Sequence, residues 1–415
     1  MWKKPWGVIE GVLICVGLLV VGVVLQLSIG NIDWSSFALP LNIVILAIYL
    51  ISISTLYALR QRIYFIRWAM SFYAAIPSIV FVVVMTFLMG LIRQVPATAD
   101  NGDVLGFSKM VSCWPFVLQY WWMATILGLI SIRRICNFSL KQIPFLCNHL
   151  GLFIVSVCGV LGSADMHRVT MHTKVGKTEW RVVDEDGNVH ELPLAIELKD
   201  FTIDEYPPKL MLINNMNGKP LSESQPEQML AEDTSVKGAL NGWNVEVLEV
   251  LDMAASMVAG DTIKYVDWHS VGATSAVYVR ATSADGSVVR EGWVSCGSFA
   301  FPYQALRLND ELSMIMLDRE PKRFASEVLM YGQSGVKMDT VVEVNKPVEI
   351  EGWKVYQLSY DEEKGRWSDV SVFELVTDPW LPWVYAGIIM MIAGVVFMFI
   401  FSSKTIGGQK NDELG

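Results

Sequence analysis

The chain has 415 residues, of which 53% are hydrophobic and only 18% are charged, and its formal net charge is −10. Because ordinary globular domains carry about a quarter charged residues, this composition argues against a purely soluble protein and indicates an integral membrane protein with a soluble part. The polar segment between Asp165 and Pro379 has a net charge of −16, whereas the remainder of the chain is +6. An acidic soluble part makes nucleic acid an unsuitable partner.

Six apolar segments approach the roughly 20 residues that cross a hydrocarbon core of about 30 Å. The second is short, and the fourth is interrupted by Gln119 and Tyr120. The first follows Lys3 and Lys4 as a signal peptide would, but its apolar run is too long and lacks a small-residue cleavage site, so we interpret it as an uncleaved helix. The predicted transmembrane helices lie near 7–29, 40–57, 68–92, 114–132, 143–164 and 380–401.

The distribution of basic residues predicts the orientation of these helices. The short loops on one side hold only Arg93 and Lys109, whereas the other side holds Lys3, Lys4, Arg60, Arg62, Arg67, Arg133, Arg134, Lys141, Lys404 and Lys410. Because cytoplasmic loops are enriched in Lys and Arg, both termini are predicted to be cytoplasmic. We therefore expect a membrane domain of five helices over 1–164, an extracytoplasmic domain over 165–379, and a closing helix with a short cytoplasmic tail over 380–415.

The extracytoplasmic segment has the pattern of a β domain. Alternating β-rich runs flank Asp186-Gly187, Asn217-Gly218 and Asp285-Gly286, and two further strands flank Glu351-Gly352. Asp-Gly and Asn-Gly between such runs favour the tight turns that match the twist of paired strands. The predicted fold is a mostly β, sandwich-like domain, with a possible short helix near 222–232 or 252–259.

The chain contains no recognisable catalytic constellation. Of six scattered cysteines only Cys113 and Cys296 are predicted to lie outside, either bridged to each other or as two free thiols. No C-x-x-C, C-x-x-C-H, phosphate-cradling glycine motif, G-x-S-x-G or H-E-x-x-H occurs. These absences argue against a free-standing enzyme and against haem bound covalently to this chain.

His149 is the one histidine predicted to lie near the cytoplasmic end of a membrane helix. His167, at the other end of that helix, is about 27 Å away by the helical rise, so the two cannot bind one metal. One interpretation is an interfacial histidine that reaches the headgroups or bonds to a neighbouring helix. The other is a ligand, because ionisable residues within membrane helices are candidates for function.

Two further patterns have simple structural explanations. Gly159 and Ser163, four residues apart, are predicted to let a neighbouring helix approach closely. The run DREPKRF places Arg319, Lys322 and Arg323 on an acidic domain. In one interpretation this run contacts carboxylates or lipid phosphates. We expect the other, in which it is a solvated loop.

Several stretches resemble motifs of the ResB/CcsB family of System II cytochrome c biogenesis: NHLGLFIVSVCGVLGSAD, EPKRFASEV, VEVNKPVEIEGWKVYQLSYD and DPWLPWVYAGIIMMIAG. The resemblance covers about 105–401. It is also seen in the order of a membrane-rich N-terminal part, a β-type outer domain and one closing helix. The first two or three helices are additional to the four-helix members of the family.

The resemblance implies a function in haem handling. Proteins of this family work with CcsA, a membrane protein with a tryptophan-rich WWD motif, as a haem exporter and cytochrome c synthetase. A histidine on a CcsB membrane helix, toward the cytoplasmic side, is one axial ligand of a haem b held there without covalent attachment, and His149 matches that position. The WWD motif has no counterpart here, since Trp121 and Trp122 are followed by Met123.

The expected function is therefore that of a subunit in the bacterial cytoplasmic membrane which holds haem and, with its CcsA-type partner, delivers it outside for attachment to apocytochrome c. Because no second histidine of this chain reaches the same iron, the other ligand is expected from the partner, with a methionine of this chain a poorer alternative. The competing hypothesis is a non-haem assembly or sensing protein whose membrane-anchored β domain binds a protein.

Overall fold

The structure, a computed structural model, describes residues 3–95, 103–222, 224–260 and 262–408. It consists of two compact units. The first, Met1–His167 together with Thr377–Gly415, is helical; the second, Arg168–Val376, is built from β-strands. This arrangement confirms the predicted combination of a six-helix membrane part with a mostly β domain.

Among the described residues of the first unit, six helices are long and apolar enough to cross a membrane. The seventh, α3, has only six residues and ends two residues before α4 begins. Five 3₁₀ segments lie at Trp34–Phe37, Leu59–Gln61, Phe107–Ser112, Leu140–Gln142 and Gly365–Trp367. The α-helices are α1 (Val8–Ile29), α2 (Leu41–Ala58), α3 (Tyr64–Ala69), α4 (Phe72–Leu91), α5 (Trp114–Cys136), α6 (Ile143–Gly162) and α7 (Leu381–Gly408).

Glycines let α6 and α7 approach each other closely. A Cβ added at Gly151 would lie 2.6 Å from the carbonyl oxygen of Gly387, and one added at Gly387 would lie 2.7 Å from that of Gly151. Backbones can come this near only where side chains are absent. The prediction that Gly159 fulfils this function was wrong for this chain: Gly159 is exposed, and nothing lies within 4 Å of a Cβ there. A small residue of α6 does permit a close helix contact, but the sequence could not show that the face with Gly151, rather than the face with Gly159, meets α7.

A buried carboxylate connects three segments at the C-terminal end of α6. Asp165 is only 6% exposed and accepts hydrogen bonds from the Leu39 backbone N–H at 2.7 Å and the Asn42 side-chain amide at 2.6 Å. The Trp380 indole N–H donates to it at 2.6 Å. Burial raises the pKa of the Asp165 carboxyl, but these three hydrogen bonds lower it by more, so the pKa lies below its usual value. Asp165 therefore stays ionised while it holds α2 and α7 against the end of α6.

The described residues of the β unit form three sheets. The largest has eight strands in the order β14-β13-β3-β2-β1-β17-β16-β15; a second has the order β10-β9-β7-β6 with β8 also paired to β7, and a third has the order β11-β12-β4-β5. The strands are β1 (His167–Lys174), β2 (Thr178–Val183), β3 (Val189–Glu205), β4 (Lys209–Asn214), β5 (Gln228–Leu230), β6 (Lys237–Leu240), β7 (Trp243–Ala259), β8 (Thr262–Asp267), β9 (Thr274–Ser283), β10 (Val289–Ser295), β11 (Leu306–Arg307), β12 (Leu312–Met316), β13 (Pro321–Gly332), β14 (Lys337–Glu343), β15 (Val348–Ile350), β16 (Trp353–Tyr360) and β17 (Val370–Thr377).

The two smaller sheets share one hydrophobic core, as in a sandwich, whereas the eight-stranded sheet curves around a core of its own. The ends of the large sheet are brought together by Glu351, in the β15–β16 turn. Its carboxylate accepts backbone hydrogen bonds from Gln333 at 2.8 Å and Ser334 at 2.9 Å, both in the β13–β14 turn. The sheet is thereby nearly closed, which leaves few unpaired edges.

The turns lie where the sequence predicted them, but the short helix does not. Asp186-Gly187, Asp285-Gly286 and Glu351-Gly352 each connect paired strands, and Glu351 and Gly352 both have positive φ, as a type I′ turn requires. The segment 252–259 instead lies in β7, and within 222–232 the regular element is the short strand β5. Pairing of β7 with β8 and β9 overrides the helical preference of the Ala- and Met-rich sequence DMAASMVA.

Candidate functional site

His149 lies on α6, about two turns from the N-terminal end of that helix, and its side chain is half-buried. Pro144 occupies the first turn, where its missing N–H is not needed. The imidazole Nδ1 lies 2.9 Å from the carbonyl oxygen of Phe145, one turn earlier on the same helix. The ring is thus oriented by the backbone of its own helix.

This contact determines which ring nitrogen is available. A carbonyl oxygen only accepts hydrogen bonds, so Nδ1 of a neutral His149 carries the proton and Nε2 carries the lone pair. Within the described ranges Nε2 has no hydrogen-bond partner, and it points away from the Phe145 carbonyl. A histidine that ligates a metal commonly donates its other N–H to a carbonyl or carboxylate, which fixes the ring orientation. The arrangement at His149 therefore leaves Nε2 free to act as one ligand of a metal ion.

Two neighbouring side chains extend the site. The Phe145 ring stacks on the His149 ring with the centroids 3.7 Å apart and the planes inclined by 18°. The Arg134 guanidinium, in the last turn of α5, lies 4.5 Å from the centroid of the Phe145 ring. His149, Phe145 and Arg134 form a layered group, which we call the α5–α6 stack.

The other four histidines do not join His149. Nε2 of His190 is hydrogen-bonded to the Asp184 carboxylate at 2.7 Å, and Nε2 of His269 to the Asp267 carboxylate at 3.1 Å, on the surface of the β unit. His167 and His172 both lie in β1. Over residues 3–95, 103–222, 224–260 and 262–408, no group of three or more His, Cys, Asp or Glu side chains is placed to hold a metal ion. His149 is thus a single donor rather than part of a complete metal site.

A second candidate site is a cavity of about 650 Å³ within the β unit. Two arginines converge on one carboxylate at its wall: Glu205 lies 2.5 Å from Arg366 and 3.4 Å from Arg319. Arg319 also donates to Asp252 at 2.7 Å, and both arginines donate to the Ser275 hydroxyl. The expectation that Arg319 belongs to a solvated loop was wrong, since its side chain is only 12% exposed. Its partners come from distant parts of the sequence, so local composition could not identify them.

The rim of this cavity is acidic and partly aromatic. Asp318, Glu362 and Glu363 make no ion pair within the described part of the chain, whereas every basic residue that lines the cavity is paired. Phe299 at the rim is 49% exposed. The charge left uncompensated at the rim is therefore negative, which suits a cationic group beside an apolar one.

Cys296 lines the same cavity as a free thiol. Its sulfur lies 3.8 Å from the Thr274 hydroxyl, and burial raises its pKa above the ordinary value. A thiol held protonated in this way is a poor nucleophile. Cys113 is also free, so of the two arrangements that the sequence allowed, the structure has the unpaired thiols.

Sequence reasoning identified His149 but missed two other features. The first is the carboxylate group around Asp165, and the second is the pairing of Arg319 and Arg366 through Glu205. Both depend on contacts between residues more than 100 positions apart. The only sequence signal for the first was that Asp165 ends one of the stretches on which the family resemblance rests, and that Trp380 is the third residue of another.

No curated protein matches this chain. Residues 271–368 match the model of the ResB-like family. The matched range lies within the β unit, and all but two of the residues that line the cavity, Ile203 and Glu205, fall inside it. The match confirms, over this range, the resemblance of the chain to the ResB/CcsB family of membrane proteins of cytochrome c biogenesis.

Proposed function

We propose that this chain holds haem in the membrane as a subunit of a System II cytochrome c biogenesis complex, with His149 as one axial ligand of a haem b. The observation that carries the proposal is the orientation of the imidazole. Nδ1 is bonded to the Phe145 carbonyl, and Nε2 has no partner among the described residues. Neutral imidazole is the usual nitrogen ligand of haem iron, and it enters a membrane at lower cost than a Lys or Arg side chain.

The proposal includes an orientation in the bacterial cytoplasmic membrane. The ends of the helices that hold ten of the twelve basic residues outside the β segment face the cytoplasm. The successive spans then place both termini inside and the β unit outside. In this orientation His149 is near the cytoplasmic face, where it would receive haem made inside the cell.

Each residue of the site has a definite function in this proposal. The Phe145 carbonyl holds the proton on Nδ1 and strengthens Nε2 as a donor. The second axial ligand comes from a CcsA-type partner, because the other four histidines of this chain all follow the C-terminal end of α6 in the sequence, which the proposed orientation places outside. Haem supplies the iron and the vinyl groups that finally react with the thiols of apocytochrome c, and this chain keeps the haem bound and oriented until delivery.

Absorption spectra of the purified protein test the function. The full chain, purified with and without the partner from cells that synthesise haem, should carry haem in the complex, with the six-coordinate low-spin spectrum of two imidazole ligands. The chain alone should carry less haem or a different coordination state. A complex that contains no haem in either preparation would refute the proposal.

The acidic cavity favours a second candidate function, that of a membrane-anchored protein whose β unit binds another protein without haem. Asp318, Glu362 and Glu363 would bind basic side chains of that protein. The same preparations separate the two candidates. A haem-free chain that still binds a basic partner, with affinity lost in a Glu362→Gln/Glu363→Gln variant, would support the second candidate alone.

A further inference from the structure

Arg134 is a charged residue near the proposed haem ligand His149, and the proposed function gives it no role so far. Its side chain is half-buried in the last turn of α5, and in the described part of the chain it makes no ion pair or hydrogen bond. The guanidinium lies over the Phe145 ring, 4.5 Å from its centroid. A guanidinium that is permanently charged and has no anionic partner in the described part of the chain is available to bind an anion from outside it.

The α5–α6 stack holds this guanidinium and the His149 ring against the same aromatic side chain. Phe145 stacks on the His149 ring with the centroids 3.7 Å apart, and the Arg134 guanidinium lies 4.5 Å from the centroid of the Phe145 ring. The three side chains are thereby locked by packing, so the guanidinium is pre-organised rather than free to follow any anion. A ligand of His149 that is as wide as a macrocycle would extend past Phe145 toward Arg134.

We propose that Arg134 binds a propionate carboxylate of the haem whose iron His149 would ligate. This contact would fix the rotation of the haem about the bond between the iron and Nε2. The inference rests on the proposed function and adds the residue that recognises the edge of the ligand. A haem has two propionates on one edge, and a planar guanidinium is suited to bind a carboxylate through two parallel hydrogen bonds. Near a membrane boundary the carboxylates would lie at the polar edge of the apolar macrocycle, beside the basic end of α5.

Arg133 provides a matched control. It has the same charge, lies one residue earlier on α5, is exposed, and does not stack on Phe145. The test compares Arg134→Gln, Arg134→Lys and Arg133→Gln in the complex with the partner. Each variant is titrated with haem and with haem dimethyl ester, in which both carboxylates are blocked.

Hydrogen bonds to charged groups are strong enough that Arg134→Gln should raise the Kd for haem by about 10-fold or more. Arg134→Lys should restore part of the affinity, and Arg133→Gln should leave it within about 2-fold of the parent protein, as expected for an exposed charge. Haem dimethyl ester should bind the parent protein and Arg134→Gln equally. Removal of a positive charge near the iron should also lower the midpoint potential of the bound haem.

The results separate this inference from the function on which it rests. If His149→Ala abolishes the haem spectrum while Arg134→Gln behaves as Arg133→Gln, the inference about Arg134 is wrong and the function stands. Equal losses for haem and its dimethyl ester in Arg134→Gln would mean that Arg134 only supports Phe145. A response of Arg134→Gln to the anionic lipid content of the bilayer, without any change in haem affinity, would assign the guanidinium to a lipid phosphate and overturn the inference.

Discussion

Replacing Trp380 by phenylalanine removes one of the three hydrogen bonds that the buried Asp165 carboxylate accepts. The indole N–H lies 2.6 Å from the carboxylate, and Phe keeps most of the apolar contact of the ring. Because a hydrogen bond to a charged group contributes about 1.5–3 kcal/mol, Trp380→Phe should lower the free energy of unfolding by about that amount. Asp165→Ala also leaves the Leu39 and Trp380 N–H groups without an acceptor, and it should cost about 3–5 kcal/mol.

The assay is unfolding of the full chain in mixed detergent micelles, followed by far-ultraviolet circular dichroism. Trp383→Phe is the matched control, since Trp383 lies one turn further along, is 61% exposed, and its indole has no hydrogen-bond partner within residues 3–95, 103–222, 224–260 and 262–408. Equal stabilities of Trp380→Phe and Trp383→Phe would refute the account of Asp165 as a connecting group.

The same pair of variants predicts a pH dependence. The pKa of Asp165 is lower in the folded chain than its ordinary value of 3.8, so its stabilising effect is present above that value and is lost as the pH falls through the folded-state pKa. The difference in stability between Trp380→Phe and Trp383→Phe should therefore be constant near neutral pH and shrink in acid. A difference that grows in acid would show that the carboxylate is not the acceptor that matters.

Three further predictions concern packing, topology and charge. Gly151→Ala should destabilise the helical unit by about 1–3 kcal/mol, because the new methyl group meets the Gly387 carbonyl at 2.6 Å, whereas Gly159→Ala, with open space around it, should be neutral in the same unfolding assay. Alkaline phosphatase fused after residue 300 should be active, and alkaline phosphatase fused after residue 140 should be inactive. The reverse pattern would place His149 near the outer face of the membrane instead of the cytoplasmic face. Binding of a basic partner by the acidic β unit should weaken between low and high salt, and binding that ignores ionic strength would exclude an electrostatic contact.

The sequence predicted the parts of the fold that depend on local or periodic signals. Apolar length identifies the six long helices, and glycine after Asp or Glu identifies turns that need positive φ, as at Glu351-Gly352. It failed where tertiary pairing decides the outcome. The segment 252–259 has helix-forming residues, but it is a strand because it pairs with β8 from Ala254 onward and with β9 at Ala254.

The same division holds for the candidate sites. His149 was recognisable because an imidazole within an apolar run is unusual by itself. The sequence could not show that its Nε2 is available, because this depends on the 2.9 Å contact between Nδ1 and the Phe145 carbonyl oxygen. Arg134 was counted only as one of ten basic residues that set the topology, and its stacking on Phe145 required the packing of α5 against α6.

The central claim is that His149 ligates haem iron, and the absorption spectrum of the complex that contains His149→Ala tests it most directly. Alanine is apolar and a good helix former, so α6 should remain inserted. The variant complex should keep its partner but lose most of its haem and its low-spin spectrum, and added imidazole should partly restore both. His190→Ala and His269→Ala, whose rings are bonded to carboxylates on the β unit, should leave the haem content unchanged. A folded His149→Ala complex with its full haem content and an unaltered spectrum would contradict the account and leave His149 as an interfacial histidine.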